Sequence, residues 1–160
     1  MATEKLKFVI ELYSTYWGAP PKANVKVDNV SYFNDYVKAK EDMPKVIEFT
    51  HTLDEGKEYN LIIDRSNKGH NDTVVNEKGD ILHDQLLHIK SITIDEIDIG
   101  GLVYEGIYTP DYPEEWAKQQ RDQGIELPQT FKNVTQMGHN GTWTFSFTSP
   151  FYMWLLENLY

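Results

Sequence analysis

The chain has 160 residues, 40% of them hydrophobic, 13% aromatic and 25% charged, the composition of one ordinary domain that can build a core without staples. With no cysteine, disulfides, thiolate metal sites and cysteine nucleophiles are excluded. A formal net charge of −10 repels duplex nucleic acid and anionic membrane alike, so neither is expected as a partner.

The dominant pattern is period two, the signature of half-buried strands. Residues 6–13 (LKFVIELY) open as a strand with Phe8, Ile10 and Leu12 on one face. Residues 23–30 alternate again, Val25 and Val27 opposite Lys26 and Asp28. Asp28-Asn29 then predicts a hairpin into residues 30–36, because short polar side chains tolerate left-handed backbone. Residues 45–51 (KVIEFTH) form the next strand, and Asp54-Glu55-Gly56 marks a turn after which residues 58–64 (EYNLIID) are expected to pair back.

Residues 65–80 are polar and read as a long excursion or hairpin in which Val74 and Val75 pack inward. The strongest strand follows over residues 85–99, where a change of parity at Lys90-Ser91 predicts a bulge. Only residues 113–123 (PEEWAKQQRDQ) look helical, with Pro and two Glu at the positive end, Lys118 and Arg121 later and Gly124 as a stop. Residues 142–147 alternate with Trp143, Phe145 and Phe147 on one face. After Pro150, FYMWLLENLY, from Phe151 to Tyr160, is a strand or a short amphipathic helix dense enough in apolar residues to need covering. Many short strands at even spacing in a single domain argue for an all-β fold, an antiparallel sandwich of jelly-roll type, with residues 108–128 as a Pro-rich excursion.

The motif search for catalysis is negative: no G-x-S-x-G, P-loop, G-x-G-x-x-G or H-E-x-x-H occurs, and the chain reads as non-catalytic. His83 and His88 are five apart, and on one strand would face opposite ways, which discounts a metal hydrolase. The opening MATEKLK has no apolar run behind it and no stretch reaches 18 apolar residues. No secretory leader or membrane insertion is therefore expected, and the four Asn-x-Ser/Thr triplets at Asn29, Asn71, Asn133 and Asn140 read as coincidence.

Oxygen donors gather in the polar excursion: Asn67, Asn71-Asp72-Thr73, Asp80 and Asp84, with glycines between them. Such a set suits Ca²⁺, which takes six to eight oxygens in flexible geometry. An EF-hand is excluded, because a loop begun at Asp64 puts Lys68 at the fifth ligand position. The same residues equally serve as turn formers satisfying local backbone N–H groups. Aromatics divide in the same way. Tyr16 and Trp17 precede Gly18-Ala19-Pro20-Pro21, a stiff loop, and Tyr104, Tyr108, Tyr112 and Trp116 line the Pro-rich bend. Flat rings on loops either stack on sugars or clamp loops to the sandwich; Trp17 is the best candidate for an exposed ring, and Trp143 and Trp154 for core or interface.

The run Asn71-Asp72, followed by Asp84-x-x-Leu87-x-Ile89-x-x-Ile92-x-Ile94, resembles the calcium-dependent xylan-binding modules over residues 6–100. That resemblance implies a jelly-roll sandwich in which Asp72 and Asp84, helped by Asn71, hold a Ca²⁺ that bridges to sugar hydroxyls. Residues 108–116 (YTPDYPEEW), 140–143 (NGTW) and 149–156 (SPFYMWLL) resemble proteins of marine tailed bacteriophages. This second resemblance implies a virion context for a product made in a host cytoplasm. The reading is a calcium-assisted, lectin-like module on a phage particle that binds host glycans through Trp17, Tyr16 and Tyr108, with avidity from many copies. The alternative is a purely structural virion subunit that meets other virion proteins through residues 151–160.

Overall fold

The computed structural model describes residues 2–68, 74–78, 80–100 and 105–159. Thirteen strands and two helices are assigned among them: β1 Thr3–Thr15, β2 Lys22–Val27, β3 Val30–Tyr36, β4 Lys45–Asp54, β5 Glu58–Ser66, β6 Val74–Val75, β7 Ile81–His83, β8 Leu86–Ile94, β9 Ile97–Asp98, β10 Ile107–Pro110, α1 Glu114–Asp122, β11 Phe131–Lys132, β12 Gln136–Met137, β13 Gly141–Thr148 and α2 Phe151–Leu159.

Alternation along β1 sends Leu6, Phe8, Ile10 and Leu12 inward, each essentially without exposure, while Lys7, Glu11 and Tyr13 face out. The strand therefore has one face to bury, and it does so at the centre of a sheet ordered β12-β8-β1-β4, with β9 also on β8. A second sheet runs β11-β10-β13-β5-β2-β3, and all described pairings are antiparallel. Its inner face is Val25, Val27, Leu61, Ile63, Trp143, Phe145 and Phe147, and the two faces meet at Phe8 and Phe147, 6.2 Å apart. Each such fully buried side chain contributes about 1.5–3 kcal/mol by leaving water. The expected antiparallel β-sandwich is the fold found.

Local sequence explains the joints. The hairpin β2–β3 turns at Asp28 (φ 51°), whose Oδ1 also accepts from the Asn60 N–H at 2.9 Å and so ties the turn to β5. In β8, Glu11 pairs Ser91 and Leu12 pairs Ile89, so Lys90 is the extra residue of a bulge that returns Ile92 and Ile94 to the core face. A bulge in β3 likewise leaves Tyr32 unpaired and free to stack on Phe49 of β4 at 4.1 Å, closing the seam between the sheets.

Three expectations are corrected. β5 does not pair back on β4: the turn at Gly56 (φ 89°) carries the chain across to the other sheet, where β5 lies between β13 and β2. The 85–99 run is not one strand, because Asp95 and Glu96 both take left-handed backbone (φ 53° and 69°) and fold β9 back on β8. Val75 does not pack inward: β6 and β7 form a ribbon apart from the two main sheets and leave Val75 exposed. The terminal segment is helical. α2 buries Phe151 and Leu155 and sets Trp154 edge-on to Phe145 at 5.4 Å, while Met153 and Leu156 stay 60% and 61% exposed.

Candidate functional site

At one end of the sandwich, four segments converge: the 16–21 loop after β1, the end of β5, residues 83–85 from the end of β7 to the start of β8, and residues 138–140 before β13. Arg65, at the inward parity of β5, is only 2% exposed, donates through one nitrogen to Asn140 Oδ1 at 2.8 Å and through another to the Gln85 carbonyl. Asn140 is held in turn by the Lys68 backbone, N–H to Oδ1 at 2.9 Å and Nδ2 to carbonyl at 3.3 Å. Gln85 is fully buried, and its Nε2 donates to Ala19 O at 2.9 Å and Asn67 O at 3.0 Å. Asn67 Nδ2 donates to Pro20 O at 2.9 Å. The loop that carries Trp17 is thus clamped from below by two side-chain amides.

On that base Trp17 is 53% exposed, its ring stacked on His83 at 5.1 Å and 15°. Next to His83, Asp84 pairs with Lys68 Nζ at 3.0 Å and accepts from the Gln85 N–H at 2.8 Å. Lys68 Nζ also donates to Gly138 O. Tyr16 is half-buried with Lys40 Nζ 3.9 Å from its ring centroid, a cation–π contact that occupies one aromatic face. Beyond Asn140 stands a second aromatic group, His139 against Tyr112 (5.0 Å) and Trp116 (5.1 Å). Burial, first, and the charges of Lys68 and Arg65 lower the His139 pKa, with Asp84 opposing them.

The sequence-predicted residues fare differently. Trp17, Tyr16 and Asp84 come to the same end of the sandwich. Tyr108 does not serve as a stacking face: it is 3% exposed, packed on Phe131, and its hydroxyl donates to His139 O while accepting from the His139 N–H. Burial pushes its pKa to about 12, which keeps the phenol a neutral structural donor. Asn71, Asp72 and Tyr104 lie outside the described residues. Among the described residues no three His, Asp or Glu come together, and Asp84 already faces an ammonium that a dication would have to displace. The described donors therefore do not by themselves fit a calcium site. His83 and His88 prove to lie on separate strands, β7 and β8.

Sequence reasoning missed His83 as the partner of Trp17, the buried pair Arg65 and Gln85, and the Tyr112–Trp116–His139 group. Only the last had a signal, its two aromatics in the Pro-rich bend.

No protein-family model matches the chain, and no curated protein matches it. Two solved structures match the chain. The selenomethionine form of vCBM60, described with two families of calcium-dependent carbohydrate-binding modules linked by circular permutation, superposes with a TM-score of 0.50 at 7% identity, over 88% of this chain and 89% of its own. vCBM60 in complex with galactobiose gives 0.48 at 8% identity, over 87% and 96%. At such identity the first likeness is one of sandwich architecture.

Proposed function

We propose that the chain is a non-catalytic, lectin-like carbohydrate-binding module whose site is the loop end of the sandwich. The observation that carries this reading is the half-exposed Trp17 ring, backed by His83 and set on a loop that Gln85 and Asn67 hold rigid. A preorganised flat ring meets a sugar's C–H face with little entropy to lose. Beside it, the partly exposed Asp84–Lys68 pair supplies an acceptor and a donor for hydroxyls. The vCBM60 likeness supports the same reading from the side of the fold.

Calcium assistance is the finer part of the proposal. Its support is the calcium dependence attached to the vCBM60 structure and the resemblance that places Asp72, Asp84 and Asn71 as ligands. Asp72, Asp84 and Asn71 would hold such an ion, which would supply coordination of vicinal hydroxyls, and Lys68 would have to release Asp84. Carriage on a phage particle rests on the resemblance of residues 100–160. The exposed Tyr152, Met153 and Leu156 on α2 favour the second reading, a structural subunit covered by a neighbour.

Calorimetric titration with a panel of neutral oligosaccharides, in calcium and in chelator, tests the module. Binding that Trp17→Ala weakens about tenfold, with unfolding unchanged, is the expected result. Equal affinity in wild type and variant, or no binding to any member, overturns it.

A further inference from the structure

Two cations cross-link the loop end. From the segment 65–68, Lys68 Nζ reaches Asp84 Oδ1 at 3.0 Å and donates to Gly138 O, while Arg65 donates to the Gln85 carbonyl and to Asn140 Oδ1. The links form a closed circuit. Asp84 Oδ1 also accepts from the Gln85 N–H, and Asn140 returns to the Lys68 backbone through both its amide oxygen and its amide nitrogen. Segments 65–68, 84–85 and 138–140, far apart in sequence, are thereby fastened at one place.

A junction of oxygen-bearing loops is what a dication would fasten, by collecting oxygens from each segment. Here the Asp84 carboxylate and the Gly138, Gln85 and Asn140 oxygens already receive an ammonium, a guanidinium or a backbone N–H. The side chains of Lys68 and Asp84 are 13% and 22% exposed, so salt screens their attraction little. Lys68 is also fixed at its root, because Asn140 holds its backbone on both sides, which leaves less chain entropy to lose when Nζ is placed. Among the described residues making these contacts, two carry positive charge and one negative. His139 reports the resulting field: after burial, Lys68 and Arg65 are what lower its pKa, against Asp84.

The circuit bears directly on the exposed ring. Asn67 and Gln85, next to Lys68 and Asp84 in sequence, donate to carbonyls of the 16–21 loop, and His83, on the other side of Asp84, stacks on Trp17.

We infer that Lys68 is the resident cation of the loop end: its ammonium, with the Arg65 guanidinium, makes the cross-links a divalent metal would make, so the segments beneath Trp17 are set without one. The inference rests on the proposed site and adds its cation requirement, which is that calcium assists and is not needed. Lys68 acts here as a positioning residue, through the loops that carry the ring.

Backbone NMR relaxation of the full chain, in chelator and in millimolar calcium, reads the cross-links without any sugar. In chelator the wild type should be as ordered at residues 67, 84–85 and 138–140 as in its strands. Lys68→Met should increase fast motion at those residues and lower Tm in chelator, whereas Lys68→Arg should keep the order. Calcium should return about half or more of the Tm that Lys68→Met loses, by binding where the ammonium was. A wild type mobile in chelator and ordered by calcium overturns the inference, as does a Lys68→Met chain that stays ordered in chelator or that calcium fails to restore. Calorimetric titration with neutral oligosaccharides is the second measurement. Wild-type affinity in chelator should stay within about tenfold of that in calcium, and binding abolished by chelator overturns the inference. If no oligosaccharide binds in either medium, the glycan reading fails while the relaxation and Tm results still decide the role of Lys68.

Discussion

Replacing Gln85 by Leu asks whether the Trp17 loop is held by the residue beneath it. Gln85 is fully buried and its Nε2 makes two hydrogen bonds, 2.9 Å to Ala19 O and 3.0 Å to Asn67 O, while its Oε1 has no partner among the described residues. Each lost bond costs about 1 kcal/mol net, and the two carbonyls belong to exposed residues that water can reach afterwards. Removing the orphaned Oε1 recovers part of this, since a buried unpaired acceptor costs on the order of 1 kcal/mol or more. The variant should therefore lose only about 1–2 kcal/mol, a fall in Tm of roughly 3–6 °C for a chain of this size. Urea unfolding measures the stability, and backbone NMR relaxation at Gly18 and Ala19 reads the loop. Fast motion there should increase while the strands keep theirs, and oligosaccharide affinity should fall with Trp17 untouched. Unchanged relaxation at those two residues would refute the clamp, whatever happens to stability.

Gly141→Ala should be costly. The new Cβ would sit 2.4 Å from Thr109 O and 2.8 Å from Pro110 Cα, backbone that cannot yield without opening the β10–β13 ladder, so a loss of about 1–3 kcal/mol is expected by urea unfolding and one below ~0.5 would refute it. Burial lowers the pKa of His51, His88 and His139 below the ordinary 6.5. The unfolded chain then takes up protons first, so their contribution is fully present above pH 6.5 and is lost as pH falls from there through the folded values. Denaturant unfolding between pH 7.5 and 5.5 should show this slope, reduced in His139→Gln; a flat profile contradicts it. Lys68→Met removes the ammonium from Asp84 and should raise calcium affinity several-fold, read as a larger calcium-induced rise in Tm than the wild type shows. Identical responses in both proteins would dismiss Asp84 as a ligand.

Strands whose two faces differ in polarity were legible, because burial selects side chains at alternate positions: β1 with Phe8, Ile10 and Leu12, β13 with Trp143, Phe145 and Phe147. The bulge at Lys90 was legible for the same reason, as a slip in that alternation. Partnership between strands was not. Asp54-Glu55-Gly56 is turn chemistry whether the next strand pairs back or crosses to the other sheet, and only the long-range ladders β13–β5 and β2–β5 decide. Asp95-Glu96 hid a hairpin because acidic residues seldom take two consecutive left-handed conformations. At the site, Trp17 was legible from the stiff loop behind it. Gln85 and Arg65 were not, since long polar side chains are ordinarily exposed and their burial depends on partners 18 to 75 positions away.

Glu4, near the start of β1, accepts hydrogen bonds at Oε2 from Ser149 Oγ and from the Phe151 N–H, joining the first strand to the first turn of the last helix. The β4–β5 crossing is fastened at the same place, Gly56 N–H to Ser149 O at 2.7 Å. β1 then runs 13 residues, about 40 Å, to the Trp17 loop at the opposite pole. The molecule has a stem and a face. A tether or surface that engages the Glu4–Ser149 junction meets the stem, and the aromatic loops lie at the far end of β1 from it. An array of copies anchored in this way would present every Trp17 outward in the same orientation.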